Sequence, residues 1–141
     1  MTVYVDTSFL VSVYIKDRHS SVTDELLRSH SRISVTPFHR AEWAHAVAQH
    51  VFRGILTPLQ ADETYDQFDR DEAVGLWTGI AMPDHAYDVC ADLARRYGPK
   101  LGVRTLDSLH VACALELKAN RFWTFDERQA KLAKAQGLRT S

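Results

Sequence analysis

Short β-prone runs alternate with helical stretches along the whole of this 141-residue chain. The runs are Val3-Tyr4-Val5, Ile33-Ser34-Val35, Gly75-Leu76-Trp77-Thr78, Phe122-Trp123-Thr124-Phe125 and Leu138-Arg139-Thr140. Strands separated by helices need right-handed crossovers, which produce a mainly parallel sheet covered on both faces. The expected fold class is therefore α/β, a three-layer α/β/α arrangement. In such sheets, sites form beyond the carboxyl ends of the strands, where strand order reverses. That rule singles out Asp6 and Asp126, each of which directly follows an apolar run.

The helical stretches carry their own punctuation. The first runs from Phe9-Leu10-Val11 to Ile15, and the second opens at His19-Ser20 with Leu26 and Leu27 as apolar anchors. Thr36-Pro37 reads as an N-cap and first helical residue, because proline there loses no hydrogen bond. That helix extends to about Phe52, with Gly54 near its end. Thr57-Pro58 repeats the signal and starts a helix to about Asp71. Pro83 opens a helix to about Tyr97 that Gly98-Pro99 is expected to stop, and Thr105 is expected to cap the next. Asp126 with Gln129 three residues later resembles a capping box. There is no repeat, low-complexity tract or linker, and the length suits a single domain over residues 1–141.

Lys plus Arg number 17 against 18 Asp plus Glu, which excludes a strongly basic coat of the kind that grips nucleic acid everywhere. The near-neutrality is uneven, however. Residues 1–93 carry a net −7 and residues 94–141 a net +6. The basic part, including Arg95, Arg96 and Arg104, reads either as a phosphate-gripping rim or as ordinary solvated helix faces. Cys90 and Cys113 show no CxxC spacing and fit small buried thiols rather than a metal or redox motif. No apolar stretch is long enough to span a membrane, and Met1 to Asp6 lacks a signal-peptide pattern. A cytoplasmic setting with no membrane association is the expectation.

Four acids deserve comparison with their bland uses. Asp6 and Asp126 are suited to capping the helices that follow them. Glu42 lies in the second turn of the helix begun by Pro37, where most glutamates are simply solvated. Asp107, in a first helical turn, favours the helix dipole. As a set they are more informative, since all four points can face one edge of a doubly wound sheet. Clustered carboxylates raise one another's pKa and need counter-charge. Oxygen-only donors suit Mg²⁺ or Mn²⁺ rather than zinc, and such a cation can bind a phosphate oxygen and activate water.

Asp6-Thr7-Ser8, Glu42-Trp43, the segment from Arg104 to Ala112 and Thr124-Phe125-Asp126 together resemble the ordered motifs of PIN-domain ribonucleases. The short form resembles VapC-type toxins of toxin–antitoxin pairs, and the resemblance covers essentially the whole chain. It implies a PIN-like fold and Mg²⁺- or Mn²⁺-dependent cleavage of RNA by an endoribonuclease. Asp6, Glu42, Asp107 and Asp126 are the implied catalytic and metal-binding acids, bordered by the hydroxyls of Ser8 and Thr124. A cognate antitoxin partner and a homodimer are implied as well. Substrate contacts are expected from Arg104 and His110, one helical turn either side of Asp107, and from Arg95 and Arg96. For His110 the competing use is a hydrogen-bonded, semi-buried imidazole. His39, His45 and His50 are spaced too unevenly around one helix to form a metal trio. Trp43, Trp77 and Trp123 are core by default, and Tyr65 and Phe68 are expected to pack inward.

Three other classes fit less well. A haloacid-dehalogenase phosphatase needs a second aspartate two residues after Asp6, where Ser8 stands. A receiver domain needs paired acids after its first strand and an acceptor aspartate after its third, near Thr78, where no carboxylate stands. A non-catalytic PIN-like interaction module has no need of all four acids.

Overall fold

The computed structural model describes residues 2–29 and 33–140. Its strands are β1 (Val3–Val5), β2 (Ile33–Val35), β3 (Trp77–Gly79), β4 (Arg121–Trp123) and β5 (Arg139–Thr140). Its helices are α1 (Thr7–Tyr14), α2 (Ser20–Ser29), α3 (Pro37–Phe52), α4 (Pro58–Ala73), α5 (Ala86–Leu101), α6 (Thr105–Glu116) and α7 (Glu127–Ala135). The sheet order is β3-β2-β1-β4-β5, and the ladders β1·β4, β2·β3 and β4·β5 are all parallel. This is the expected α/β class. By Cα proximity the chain forms two compact units, Met1–Asp6 with Ala81–Ser141, and Thr7–Ile80.

In the first unit the core gathers on β1 and β4. Val3, Tyr4 and Val5 stand opposite Arg121, Phe122 and Trp123, and the Tyr4 and Phe122 rings stack with centroids 5.4 Å apart. Seven consecutive residues of α6, Ser108 to Ala114, are buried. A helix apolar all round is one enclosed by its neighbours. Its Tyr4 contact is polar: the phenol hydroxyl lies 2.8 Å from Nδ1 of the buried His110. Cys90 and Cys113 are free and buried, as expected. Burial pushes both thiols up, Cys113 to about 11, so neither is a reactive thiolate at neutral pH.

The second unit is built around the α3–α4 hairpin. Both helices open with capping boxes. The Thr36 hydroxyl accepts from the His39 backbone N–H, and the Thr36 N–H donates to His39 Nδ1 at 3.0 Å. Thr57 and Gln60 repeat the reciprocal bonds, with proline at the first helical position in each case. His39 is thus a buried cap. His45 and His50 turn their Nδ1 atoms to the carbonyls of Ala41 and Ala46. The helices close on an aromatic cluster in which Trp43 stacks on Phe68 at 4.4 Å and Tyr14 meets Trp43 edge-on. The Tyr14 hydroxyl donates to Asp71 Oδ2 at 2.7 Å and accepts from Trp77 Nε1. Burial first, then the hydrogen bond to Asp71, raises the Tyr14 pKa and keeps the phenol protonated. Arg40 pairs with Glu72, and that pair passes so close to Gly79 that an added Cβ would lie 3.0 Å from the Glu72 carboxylate.

Several boundaries differ from expectation. Gly98-Pro99 does not end α5, which continues to Leu101 and stops at Gly102 in the left-handed conformation with φ 64°. Proline so near a helix end forfeits one backbone bond, while glycine adopts positive φ without a Cβ clash. Thr105 is the first residue of α6 rather than its cap. The cap position is Arg104, which makes no side-chain capping bond. Thr124 and Phe125 lie beyond β4. In α2 the fully buried residue is Thr23, whose hydroxyl lies 2.6 Å from that of Ser12, while Leu26 and Leu27 are half-buried.

Phe68→Ala removes the centre of the aromatic cluster. It should cost about 3–5 kcal/mol in a urea melt, because the surrounding rings cannot collapse into the space. A cost under about 1 kcal/mol would show that the cluster does not carry the hairpin.

Candidate active site

Parallel pairing of β1 with β4 positions the first acid. The ladder continues one step past Val5, where the Asp6 N–H donates to the Trp123 carbonyl at 3.1 Å. Asp6 is therefore held next to Thr124, at the point where strand order reverses. The Thr124 hydroxyl lies 2.8 Å from Asp6 Oδ2, and both residues are buried.

Thr124 is also the start of a second set of bonds. Its Oγ1 accepts from the Asp126 N–H at 3.0 Å and lies 2.6 Å from Gln129 Oε1. Asp126 caps α7 by accepting from the Gln129 N–H at 2.8 Å. The expected capping box is thus only half formed. The Gln129 side chain turns inward instead of returning to the Asp126 backbone, and is 1% exposed. Its Nε2 donates to the Asp107 carbonyl at 3.1 Å. One network therefore joins Asp6, Asp107 and Asp126 through Thr124 and Gln129.

The Asp107 carboxyl has its pKa raised, by burial first and by the Asp126 charge second. The Arg104 N–H and the charges of Arg104 and His110 oppose that rise. In the other unit, Glu42 is half-buried on α3, and its Oε1 accepts from the Thr7 hydroxyl at 2.7 Å. Thr7 is the residue after Asp6 in sequence. Among the described residues, no three His, Cys, Asp or Glu side chains are grouped so as to hold a metal ion as they lie. The donor chemistry nonetheless fits a hard dication. The donors are carboxylate oxygens, and the like charges of Asp107 and Asp126 already disfavour each other.

The remaining expected contacts divide. Ser8 is exposed on the first turn of α1, and Arg104 is exposed at the start of α6. Arg95 and Arg96 are exposed on α5, where Arg96 pairs with Asp92 at 2.9 Å and lies over the Tyr97 ring. One expectation needs correction. His110 is 3% exposed and engaged with Tyr4, so it presents no surface to a substrate. Thr124 borders the acids, but it is 6% exposed and its hydroxyl is turned to Asp6, Asp126 and Gln129 rather than open to a substrate. Gln129 and Thr7 went unrecognised as site residues. The Asp126–Gln129 spacing was visible, but it signals a cap equally well, and nothing in it says that the amide is buried.

The PIN-domain family profile matches residues 3–135, and the chain belongs to that family. No curated protein sequence matches it. Among solved structures it is similar to VapBC2 from Rickettsia felis bound to a promoter DNA fragment, with TM-score 0.69 and 17% identity over 100% of this chain and 98% of that one. It is also similar to FitAcB from Neisseria gonorrhoeae, with TM-score 0.72 and 14% identity over 98% and 95%. A third is Mycobacterium tuberculosis VapC20, described as a sarcin-ricin loop cleaving toxin, with TM-score 0.68 and 12% identity over 92% and 93%.

The raised Asp107 pKa carries a stability consequence. Between the ordinary carboxylate pKa and the raised one, the folded chain binds more protons than the unfolded chain, so stability falls as pH rises through that window. In chelator, Asp107→Asn should melt at a higher temperature than the parent at pH 7, with the gap closing as pH falls towards 3.5. An equal or lower melting temperature at pH 7 would contradict a raised Asp107 pKa.

Proposed function

We propose that this chain is a Mg²⁺- or Mn²⁺-dependent endoribonuclease and the toxin of a toxin–antitoxin pair. The observation that carries the reading is the single hydrogen-bonded network tying Asp6, Asp107 and Asp126 together at the switch point of a PIN-family sheet. Asp6, Asp107 and Asp126 are the residues that would hold the cation. Bound there, a hard dication supplies Lewis acidity towards a scissile phosphate and neutralises the carboxylates.

The chain's own groups supply the rest. Thr124 holds Asp6 at the strand end, and the Thr7 hydroxyl holds Glu42. Arg104 stands one turn before Asp107, exposed and positive, suited to a substrate phosphate. Arg95 and Arg96 extend positive charge along α5, giving a stretch of RNA backbone something to lie against. The promoter-bound VapBC2 and a toxin–antitoxin complex from Klebsiella pneumoniae share this fold, which supports an antitoxin partner. Homodimerisation and a cytoplasmic location belong to the same reading. Among the described residues, no helix is long and apolar enough to cross a membrane.

The test is cleavage of a defined RNA by purified protein with Mn²⁺ and with chelator. Asp6→Asn changes volume little and should reduce cleavage at least a hundredfold while the melting transition stays cooperative. Wild-type cleavage by that variant would leave a non-catalytic interaction module as the better reading. Replacing Arg95 and Arg96 together with alanine should weaken RNA binding. If both contact phosphates, the slope of log K against log salt should fall by about 1.4, at about 0.7 per contact. An unchanged slope would put the RNA elsewhere.

A further inference from the structure

The Thr124 hydroxyl has one proton and two acceptors competing for it. Asp6 Oδ2 lies 2.8 Å away and Gln129 Oε1 2.6 Å away. The hydroxyl oxygen is itself already an acceptor, for the Asp126 N–H. Gln129 cannot escape the competition by rotating. Turning the Gln129 amide over would set its oxygen against the Asp107 carbonyl, which only accepts, so the donor end must stay where it is. The arrangement costs a buried glutamine side chain, 1% exposed, whose ordinary place at this helix position is the capping box.

We infer that Gln129 is a positioning residue that takes the Thr124 proton whenever Asp6 gives its carboxylate oxygen to a cation. Resting on the metal-site reading above, this adds how the site switches between its two states. With no cation, the proton points to the Asp6 carboxylate, the stronger acceptor. Were Asp6 to hold a cation, the buried Thr124 hydroxyl would still have an acceptor in Gln129 Oε1 and would not be left unpartnered. The same amide keeps the α6 start in place through the Asp107 carbonyl, so the switch moves one proton and no backbone.

The experiment is calorimetric titration of the purified full chain with Mn²⁺ alone, paired with thermal melts in chelator. Gln129→Met keeps the length but offers only a weak sulfur acceptor, and should weaken Mn²⁺ binding about tenfold or more. Gln129→Glu keeps the acceptor and should bind Mn²⁺ within threefold of the parent. Both variants lose the donor to the Asp107 carbonyl, so both should melt lower. Equal weakening of Mn²⁺ binding by both would mean that Gln129 only supports the fold, and parental binding by Gln129→Met would overturn the inference outright.

Should Gln129→Met fail to melt cooperatively, Gln129→Glu decides alone: Mn²⁺ binding within threefold of the parent supports the inference, and a fall of tenfold or more overturns it. A parent chain that takes up no Mn²⁺ would sink the metal-site reading and this one together. Binding by the parent that Asp6→Asn abolishes and Gln129→Met leaves unchanged would sink this inference alone.

Discussion

The pairing of β1 with β4 is the constraint on which the candidate site depends. Val3, Tyr4 and Val5 are fully buried against Arg121, Phe122 and Trp123, and a slip of one residue would turn buried side chains to the opposite face. Because that register is costly to change, the next residues along are fixed too. Asp6 and Thr124 meet as a consequence of the ladder ending where it does. A carboxylate is thereby held at 6% exposure, which is tolerable because hydrogen bonds meet it there.

From that point the polar network spreads through α7 and α6 by way of one buried amide. Such a network is rigid only while every member is satisfied. Here the Thr124 hydroxyl lies between two acceptors, and the Asp107 pKa is raised nearby, by burial first and by the Asp126 charge second. Stability and chemistry pull in opposite directions at this place. The aromatic cluster of the α3–α4 hairpin has no such conflict. Its half-buried phenol and carboxylate and the buried Trp77 indole bond to one another, and the rings pack as ordinary core, although Trp43 Nε1 is buried without a hydrogen-bond partner.

Much of the fold was legible because its signals are local. Thr36-Pro37 and Thr57-Pro58 start their helices as read, since a hydroxyl cap and a missing proline N–H act within one turn. The failures are also local in kind. At Gly98-Pro99 two breakers together suggested a stop, yet proline in a final turn costs little and the helix ends where Gly102 takes a left-handed φ. At Thr105 a good capping residue lost its place to Arg104, because the position of α6 is set by seven consecutive buried residues rather than by its cap.

The sequence by itself determined the alternation of strand and helix, the parallel α/β class, and the candidacy of Asp6, Glu42, Asp107 and Asp126. Those follow from residue type and spacing along a few turns of chain. Only the tertiary structure decided that His110 faces Tyr4 inside the core, that Thr124 is enclosed, and that Gln129 abandons its capping bond to join Thr124 to Asp107. The physical reason is the same in each case. Whether a polar side chain meets water or a buried partner depends on residues distant in sequence, Asp6 and Thr124 being 118 positions apart, and no local pattern encodes such a meeting.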